Sequence, residues 1–226
     1  MTKKDRIVKI YDALYERYGP QGWWPVIKQI KNGEFKSFYH KNDFSFPKNK
    51  DQLFEICVGA ILTQNTSWKN VEKALINLKN AKMLNCDSIV KADEKEIGEL
   101  IKPSGYYNQK SERLKIFAEW FNSLKKNPTR EELLALKGIG EETADSILLY
   151  GFKIPSFVVD AYTKRILSNL SLINGNSSYS EIQKLFESIL PEDFRIYQEY
   201  HALLVEHAKH FYIKRQNKED FLLELS

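Results

Sequence analysis

Cysteine is scarce in this chain, and its scarcity removes several classes of protein. The 226 residues contain only Cys57 and Cys86. Two thiols are too few for a disulfide framework or for a metal site built from four thiolates. The sequence therefore predicts a protein of a reducing compartment, and we expect it in the cytoplasm.

Long apolar runs are also missing. No window approaches the roughly 18 uncharged apolar residues of a membrane span, and residues 1–6 are charged and lead into an amphipathic segment rather than a secretory leader. Neither sign of charge is in large excess: 34 Lys and Arg stand against 30 Asp and Glu, for a net charge of +4. This balance permits a polyanionic partner without requiring one.

Helical periodicity dominates what is present, and the fold class that it predicts is all-α. Apolar positions recur at helical spacing from Ile7 to Leu14 and again from Leu53 to Leu62. The polar and basic stretch 31–50 is predicted to be a loop, and the only β-branched run is short. The second of these segments is predicted to be a helix over residues 51–63. Further helices are predicted at residues 67–79, 94–101, 108–124, 129–136, 141–151, 159–170, 179–189 and 193–211.

The most informative segment is a pair of short helices joined by Lys137-Gly138-Ile139-Gly140. Two glycines around one apolar residue let the backbone turn tightly and approach a ligand closely. The amides that follow begin a helix and point outward, which is an arrangement that binds phosphate. An ordinary turn between two helices is the alternative for a lone Gly-x-Gly.

A carboxylate follows this segment at Asp160, after the β-branched pair Val158-Val159 and before a basic turn that includes Lys164. At this place an acid could simply cap the next helix. Beside a cationic surface that binds phosphate, it could also act on a sugar.

These residues resemble the helix-hairpin-helix (HhH-GPD) DNA glycosylase superfamily, whose mark is this hairpin followed by a Gly/Pro-rich loop and an Asp. Two further stretches agree with the resemblance: residues 62–68, with Gln64 and Asn65, and residues 103–110, which end at Lys110. Together with Trp23-Trp24-Pro25, they look most like the 3-methyladenine DNA glycosylase III type of the endonuclease III-like group.

The resemblance implies two helical subdomains with a DNA-binding cleft between them. Residues 51–154 would form a six-helix subdomain that includes the hairpin, and residues 1–50 with 155–226 would form the second. It further implies a monomer, associated with the nucleoid, that flips a damaged base out of double-stranded DNA.

The resemblance also assigns roles to residues. Asp160 would be catalytic, and Gln64 would be the wedge that fills the space of the flipped nucleotide, unless it only caps a helix. Trp23, Trp24 and Pro25 would form the base pocket, although paired tryptophans are also common core anchors. The remaining predicted DNA contacts are Asn65, Lys110, Lys137, Gly138, Ile139, Gly140, Thr143 and Lys164, with Arg165 as a further candidate.

Two departures from the superfamily carry chemical consequences. Bifunctional members have a lysine in the second hairpin helix that forms an imine with the sugar, whereas this chain has Glu142, which cannot do so. Residues 200–226 contain no cysteine, so no iron–sulfur cluster is expected. No metal site is predicted from the four histidines, although hairpin carbonyls could hold a structural monovalent ion.

The sequence therefore predicts a monofunctional glycosylase that removes an alkylated purine such as 3-methyladenine. One alternative keeps the fold and changes the substrate to uracil, a mismatched base or an oxidised base. Another alternative is a DNA-binding hairpin module without catalysis. Asp160 argues against the non-catalytic module, because a carboxylate beside the phosphates would weaken DNA binding in a protein that only binds.

Overall fold

The computed structural model describes residues 2–213 and 220–225, and most of them are helical, which confirms the all-α prediction. None of the helices in this part of the chain is long and apolar enough to cross a membrane. The longer helices are α1 (Lys3–Tyr18), α2 (Lys50–Leu62), α3 (Trp68–Asn80), α4 (Cys86–Lys91), α5 (Glu94–Ile101), α6 (Tyr107–Ser123), α7 (Arg130–Leu134), α8 (Glu141–Ser146), α9 (Ala161–Asn169), α10 (Tyr179–Glu187) and α11 (Phe194–Ala208). Short 3₁₀ turns span Lys102–Ser104 and Phe221–Leu225, and π-helical turns extend α8 over Ile147–Gly151 and α11 over Lys209–Ile213.

The chain divides into two compact units. The terminal unit comprises Met1–Trp23, Lys41–Phe44 and Lys153–Ser226, and the central unit comprises Trp24–His40 and Ser45–Phe152. The predicted boundary after residue 154 lies within two residues of the observed one. The structure assigns residues 24–40 and 45–50 to the central unit, whereas the sequence placed them with the termini.

Part of the stretch 31–50, which was predicted to be a loop, belongs to a β-hairpin whose first strand precedes that stretch. Strand β1 (Val26–Gln29) pairs antiparallel with β2 (Phe35–Phe38), and Ile27 lies opposite Ser37. The Ile27 amide donates to the buried carboxylate of Glu55 on α2, and the Ser37 amide donates to Glu72 on α3 over 3.2 Å. These two bonds tie the hairpin to the central unit, which explains why it does not belong with the termini.

Helix α2 forms the centre of the central unit, because its residues 54–62 are all buried. On one side, Phe54 packs against Phe121 of α6, with ring centroids 5.2 Å apart. On another side, Trp24 lies against Gly59 and meets Trp68 edge to face at 5.6 Å. Glycine is needed at 59 because the indole occupies the space where a side chain would stand.

Helix α4 was not predicted, and it joins the same core. It has only six residues, so it carries little periodicity, and Asn85 caps its N-terminus by accepting from the Ser88 amide. Cys86 is buried, and its thiol donates to the carbonyl oxygen of Ala118 on α6. The cysteine is thus a packing residue here.

In the terminal unit, α11 is buried along almost its whole length and packs against α1 and α9. The hydroxyl of Tyr200 on α11 donates to the carbonyl of Ile7 on α1 over 2.7 Å. Tyr200 also meets Phe186 of α10 edge to face, and Phe186 stacks on Phe157 at 3.9 Å. This aromatic cluster fixes the extended segment that leads to Asp160.

Replacement of Gly59 by alanine should destabilise the protein. A methyl group at 59 would stand 2.8 Å from the indole nitrogen of buried Trp24, so α2 or the ring would have to shift. Overpacking of this kind costs about 1–3 kcal/mol. Chemical denaturation monitored by tryptophan fluorescence would measure the loss.

Gly98→Ala is the matched control, because Gly98 also lies in a helix of the central unit. A methyl group there meets its nearest neighbours at 3.5 and 3.7 Å, which is ordinary contact. Helix propensity then favours alanine by about 1 kcal/mol. Equal destabilisation by the two variants would contradict the proposed packing of Trp24.

Candidate active site

The predicted helical hairpin, which consists of α7, the turn at residues 137–140 and α8, is present in the central unit. Helix α7 begins at a capping box formed by Thr129 and Glu132, and α8 begins directly after Gly140. Gly138 has φ +80°, a conformation that favours glycine, and the space beside its α-carbon is filled by the Arg113 side chain. Ile139 is only 6% exposed, so it anchors the turn while both glycines face outward.

Gln64 is held against this hairpin by three hydrogen bonds. Its Nε2 donates to the carbonyl of Gly138 and to Oγ1 of Thr143, each over 3.0 Å. Its Oε1 accepts from a guanidinium nitrogen of Arg113 on α6 over 2.6 Å. Gln64 therefore links the turn after α2 to the hairpin, and Arg113, which sequence reasoning missed, contacts both.

Two predicted DNA contacts are interior residues, and those predictions are corrected. Lys110 is 1% exposed, and its ammonium group donates to the carbonyls of Leu62 and Ser104 at 2.9 and 2.8 Å. Burial lowers the pKa of this amine to about 8. Thr143 is 6% exposed and serves as the acceptor for Gln64. Both side chains stabilise the site from below its surface.

The remaining predicted contacts lie on the surface. Lys137 is exposed and pairs with Glu112 of α6, and Lys164 is exposed on α9 in the terminal unit. Asn65 is exposed beside Gln64 and has a left-handed backbone, with φ +54°. Their side chains are accessible to a ligand, unlike those of Lys110 and Thr143.

Asp160 caps α9 in the terminal unit and uses one oxygen to do so. Its Oδ1 accepts from the amide and the hydroxyl of Thr163, at 2.7 and 2.8 Å. The preceding residues 157–159 are buried, and the amide of Val159 donates to the hydroxyl of Tyr179. The capping interpretation is thus correct as geometry, and it leaves Oδ2 outside the cap.

His201 stands next to that second oxygen. It lies on α11, is 4% exposed, and its Nε2 is 3.8 Å from Oδ2 of Asp160. Burial alone would raise the pKa of Asp160, but the interaction with His201 and the bonds from Thr163 lower it below its usual range. The four histidines predicted no metal site from the sequence, and none of them was predicted to be a partner of Asp160. A carboxylate and a histidine on separate helices carry no local spacing signal.

The two tryptophans have different surroundings. Trp23 is half-buried in the terminal unit and meets His201 edge to face at 6.4 Å, and the ammonium of Lys209 lies 5.4 Å from its ring centroid. Trp24 is 4% exposed in the core of the central unit, and Pro25 is buried beside it in sequence. The pocket predictions for Trp24 and Pro25 are therefore corrected, because both are buried, and Trp23 is the ring that contacts His201, the neighbour of Asp160.

Comparison with known proteins identifies the family. The model of the HhH-GPD superfamily of base excision DNA repair proteins matches residues 58–192, which include the hairpin and Asp160. The chain belongs to this superfamily. It is accordingly a DNA repair glycosylase of the HhH-GPD type, which confirms the predicted family.

Individual relatives agree with this assignment. The chain is 44% identical over 226 residues to a Methanocaldococcus jannaschii protein whose name places it among DNA repair glycosylases, with 95% of this chain and 92% of that protein covered. It resembles the crystal structure of Helicobacter pylori 3-methyladenine DNA glycosylase bound to 1,N6-ethenoadenine, with a TM-score of 0.71, 29% identity, and 90% and 97% of the two chains covered. It also shares the fold of a non-covalent endonuclease III–DNA complex, with a TM-score of 0.74, 19% identity, and 100% and 95% covered.

The four-cysteine cluster that the superfamily suggests does not fit this chain. Its only cysteines are Cys57 and Cys86, and both are buried in the central unit. Across residues 2–213 and 220–225, no group of three or more His, Cys, Asp or Glu side chains could hold a metal ion. The carbonyl of Gly138, a candidate ligand for a monovalent ion, accepts a hydrogen bond from Gln64.

Proposed function

We propose that this HhH-GPD glycosylase is monofunctional: it flips a damaged base from double-stranded DNA and hydrolyses the N-glycosidic bond with Asp160. The observation that carries the proposal is the environment of Asp160. The side chain is 14% exposed, its position is fixed by the cap on α9, and one of its oxygens takes no part in that cap. Such a carboxylate is preorganised and still within reach of a substrate.

The chemistry requires Asp160 to be ionised. Glycosidic cleavage develops positive charge on the sugar as an oxocarbenium-like state forms. The lowered pKa of Asp160 keeps the carboxylate charged at neutral pH, so that Oδ2 can stabilise this charge and orient the attacking water. The proton released from water then has a carboxylate acceptor beside it.

We assign His201 as a positioning residue for this carboxylate. Its Nε2 faces the oxygen that the cap leaves available, and its ring also contacts Trp23. The neighbouring segment is anchored as well, because the amide of Gln21 donates to Glu199 on α11 over 2.6 Å. Helix α11 thus supports Trp23 and Asp160 together within the terminal unit.

An alkylated purine is the favoured substrate, and Trp23 supports it. An alkylated base carries positive charge, and a cation over an aromatic face gains roughly 0.5–2 kcal/mol. It is also a good leaving group, so the site needs little acid catalysis of departure. The H. pylori relative is by name a 3-methyladenine glycosylase, and its resemblance points to the same substrate class.

A neutral damaged base is the second candidate, and Lys209 favours it. The ammonium of Lys209 already lies by the Trp23 ring, 5.4 Å from the centroid, so a cationic base would meet a like charge there. Glu206 accepts from this ammonium over 2.9 Å, which offsets part of the repulsion. Uracil, mismatched and oxidised bases therefore belong in the substrate panel.

In this proposal, DNA binds to the surface of the helical hairpin and to the turn that holds Gln64 and Asn65. The backbone at Gly138, Ile139 and Gly140 would contact phosphates, and Lys137 and Lys164 would add cations. Gln64 and Asn65 would enter the space of the flipped nucleotide. Entry by Gln64 would require its bonds to Gly138 and Thr143 to break, whereas exposed Asn65 makes neither of these bonds.

Asp160→Asn should abolish base excision and leave DNA binding intact. The amide keeps the cap on α9, because asparagine caps helices as well as aspartate does, but it carries no charge to stabilise the sugar cation. Single-turnover release of free base should fall by at least about 100-fold, as for loss of one preorganised electrostatic group. The substrate panel contains methylated purines, uracil and 8-oxoguanine in duplex DNA.

Asp193→Asn is the control, because Asp193 caps α11 in the same unit and accepts from the Arg195 amide. It should excise bases at the wild-type rate. Equal activity of the Asp160 and Asp193 variants would leave capping as the only role of Asp160. Intact binding without excision by the wild-type protein would instead indicate a non-catalytic hairpin module.

Glu142→Lys should introduce lyase chemistry that the wild type lacks. Glu142 is exposed in the first turn of α8, at the position where bifunctional members carry lysine. An amine there can attack the sugar carbon and form an imine that borohydride reduces to a stable crosslink. The wild type should give strand breaks only after alkali, and the variant should give a trapped protein–DNA band.

Glu141→Lys provides the matched control, since Glu141 is exposed in the same turn and pairs with Arg130. It adds the same charge at a neighbouring position and should give no trapped band. A borohydride crosslink with wild-type protein would refute the monofunctional assignment and show that another amine acts.

His201→Gln should shift the pH profile of excision. Without His201 the pKa of Asp160 should rise, because one of the interactions that lower it is lost. Asp160 must be ionised, so activity is lost as pH falls through its pKa, and the acid limb should move to higher pH. Single-turnover rates between pH 4 and 8 would show this shift, and exposed His210→Gln would be the control. A uniform loss of rate at every pH would indicate a structural role only.

A further inference from the structure

Two lysines lie directly opposite each other in the β-hairpin of the central unit. In the register of β1 and β2, Lys28 pairs with Lys36. Directly opposed side chains have their β-carbons about 5 Å apart, and like charges in that position destabilise a sheet. The charge repulsion between the two lysines therefore disfavours this pairing.

The nearby carboxylates do not neutralise this pair. Glu55 and Glu72 accept from the backbone amides of Ile27 and Ser37, and Glu55 also pairs with Lys79. Glu34 is the only acidic residue between positions 24 and 40. Within the described residues, neither lysine of the opposed pair forms an ion pair with a carboxylate.

Aromatic rings contact the ammonium groups of Lys28 and Lys48. The ammonium of Lys28 lies 3.4 Å from the ring centroid of Phe38 and 4.9 Å from that of Phe46, and Lys48 lies 4.6 Å from the Phe46 centroid. Phe38 is 40% exposed, whereas Phe46 is buried. We call Lys28, Lys36, Lys48 and Phe38 the cationic face of the β-hairpin.

This face is firmly attached to the part of the central unit that carries the candidate DNA contacts. Trp24, which precedes β1, packs on Trp68 at the start of α3. The turn that holds Gln64 and Asn65 ends immediately before that helix, and β2 packs along α3. A duplex gripped at this turn therefore has a rigid basic surface on the same unit.

We infer that the cationic face of the β-hairpin binds the phosphodiester backbone of duplex DNA. The partner follows from charge complementarity: opposed, unneutralised cations suit a linear polyanion whose charges lie on one surface. The inference rests on the proposed function, in which duplex DNA is the substrate. It adds a DNA contact outside the helix-hairpin-helix motif and apart from the residues that act on the base.

The test is the salt dependence of DNA binding by the variant K28Q/K36Q. Each phosphate contact contributes about 0.9 to the slope of log Kd against log salt concentration, so loss of two contacts should lower that slope by about 1.8. Binding to a 30-base-pair undamaged duplex, followed by fluorescence anisotropy between 50 and 200 mM salt, would measure it. Thermal unfolding would confirm that the variant is folded, since loss of the repulsion between the lysines and loss of the Lys28 contact with Phe38 act in opposite directions on stability.

Two controls make the result specific. K125Q/K126Q removes the same charge from an exposed loop of the central unit, at the far end of α6 from Arg113, and should leave the slope unchanged. K28R/K36R keeps both charges and should preserve the slope. An unchanged slope in K28Q/K36Q, or an equal decrease in K125Q/K126Q, would overturn the inference.

Excision measured at saturating DNA separates this inference from the proposed function. K28Q/K36Q should excise at the wild-type rate once bound, since neither lysine belongs to the catalytic machinery. A lower rate at saturation would mean that the face acts on the site instead of on flanking phosphates, which also overturns the inference. Failure of the wild type to excise any base would refute the proposed function and leave the salt slopes interpretable.

Discussion

Backbone amides outside regular helices need acceptors, and this chain supplies them with carboxylates carried on neighbouring helices. A buried amide without a partner costs about as much as a lost hydrogen bond. The same device recurs at four places: Glu55 binds Ile27, Glu72 binds Ser37, Glu199 binds Gln21, and Glu187 binds Phe157. The β-hairpin, the segment before Trp23 and the segment before Asp160 are all held in this way. These bonds therefore help to fix the segments that carry Trp23 and Asp160.

Asp160 also accepts a hydrogen bond from a backbone amide, but it uses only Oδ1 to do so. Its Oδ2 is therefore left for the proposed chemistry. The sequence presents capping and catalysis as alternatives, but the geometry makes them compatible, because Thr163 takes Oδ1 and Oδ2 faces His201. The cap fixes the orientation of the carboxylate, which a catalytic group in a nearly buried position requires. Burial alone would favour the neutral acid, and the neighbouring donors reverse that preference. The structural role therefore supplies the rigidity that the proposed chemical role needs.

The sequence predicted the features that depend on local spacing and could not predict those that depend on tertiary partners. The long helices, the Gly138–Gly140 turn and the family follow from periodicity and motif. The hairpin at 26–38 carries an Asn32-Gly33 turn signal, but its short strands are stabilised by Glu55 and Glu72, which are distant in sequence. Lys110 looks like a surface cation at the start of a predicted helix, yet its amine donates to two buried carbonyls. No local pattern distinguishes these two uses of a lysine.

Adjacent residues can serve separate units, and Trp23 and Trp24 show why a motif is not a site. The boundary between the terminal and central units falls between them. Trp24 fills the space above Gly59, where a large ring stabilises the core by burial, while Trp23 stays half-buried beside His201. One tryptophan alone could not provide both an anchor for the β-hairpin and an aromatic surface near Asp160. The doubled tryptophan is thus explained by two physical requirements that meet at one point of the chain, and only Trp23 has a part in the proposed chemistry.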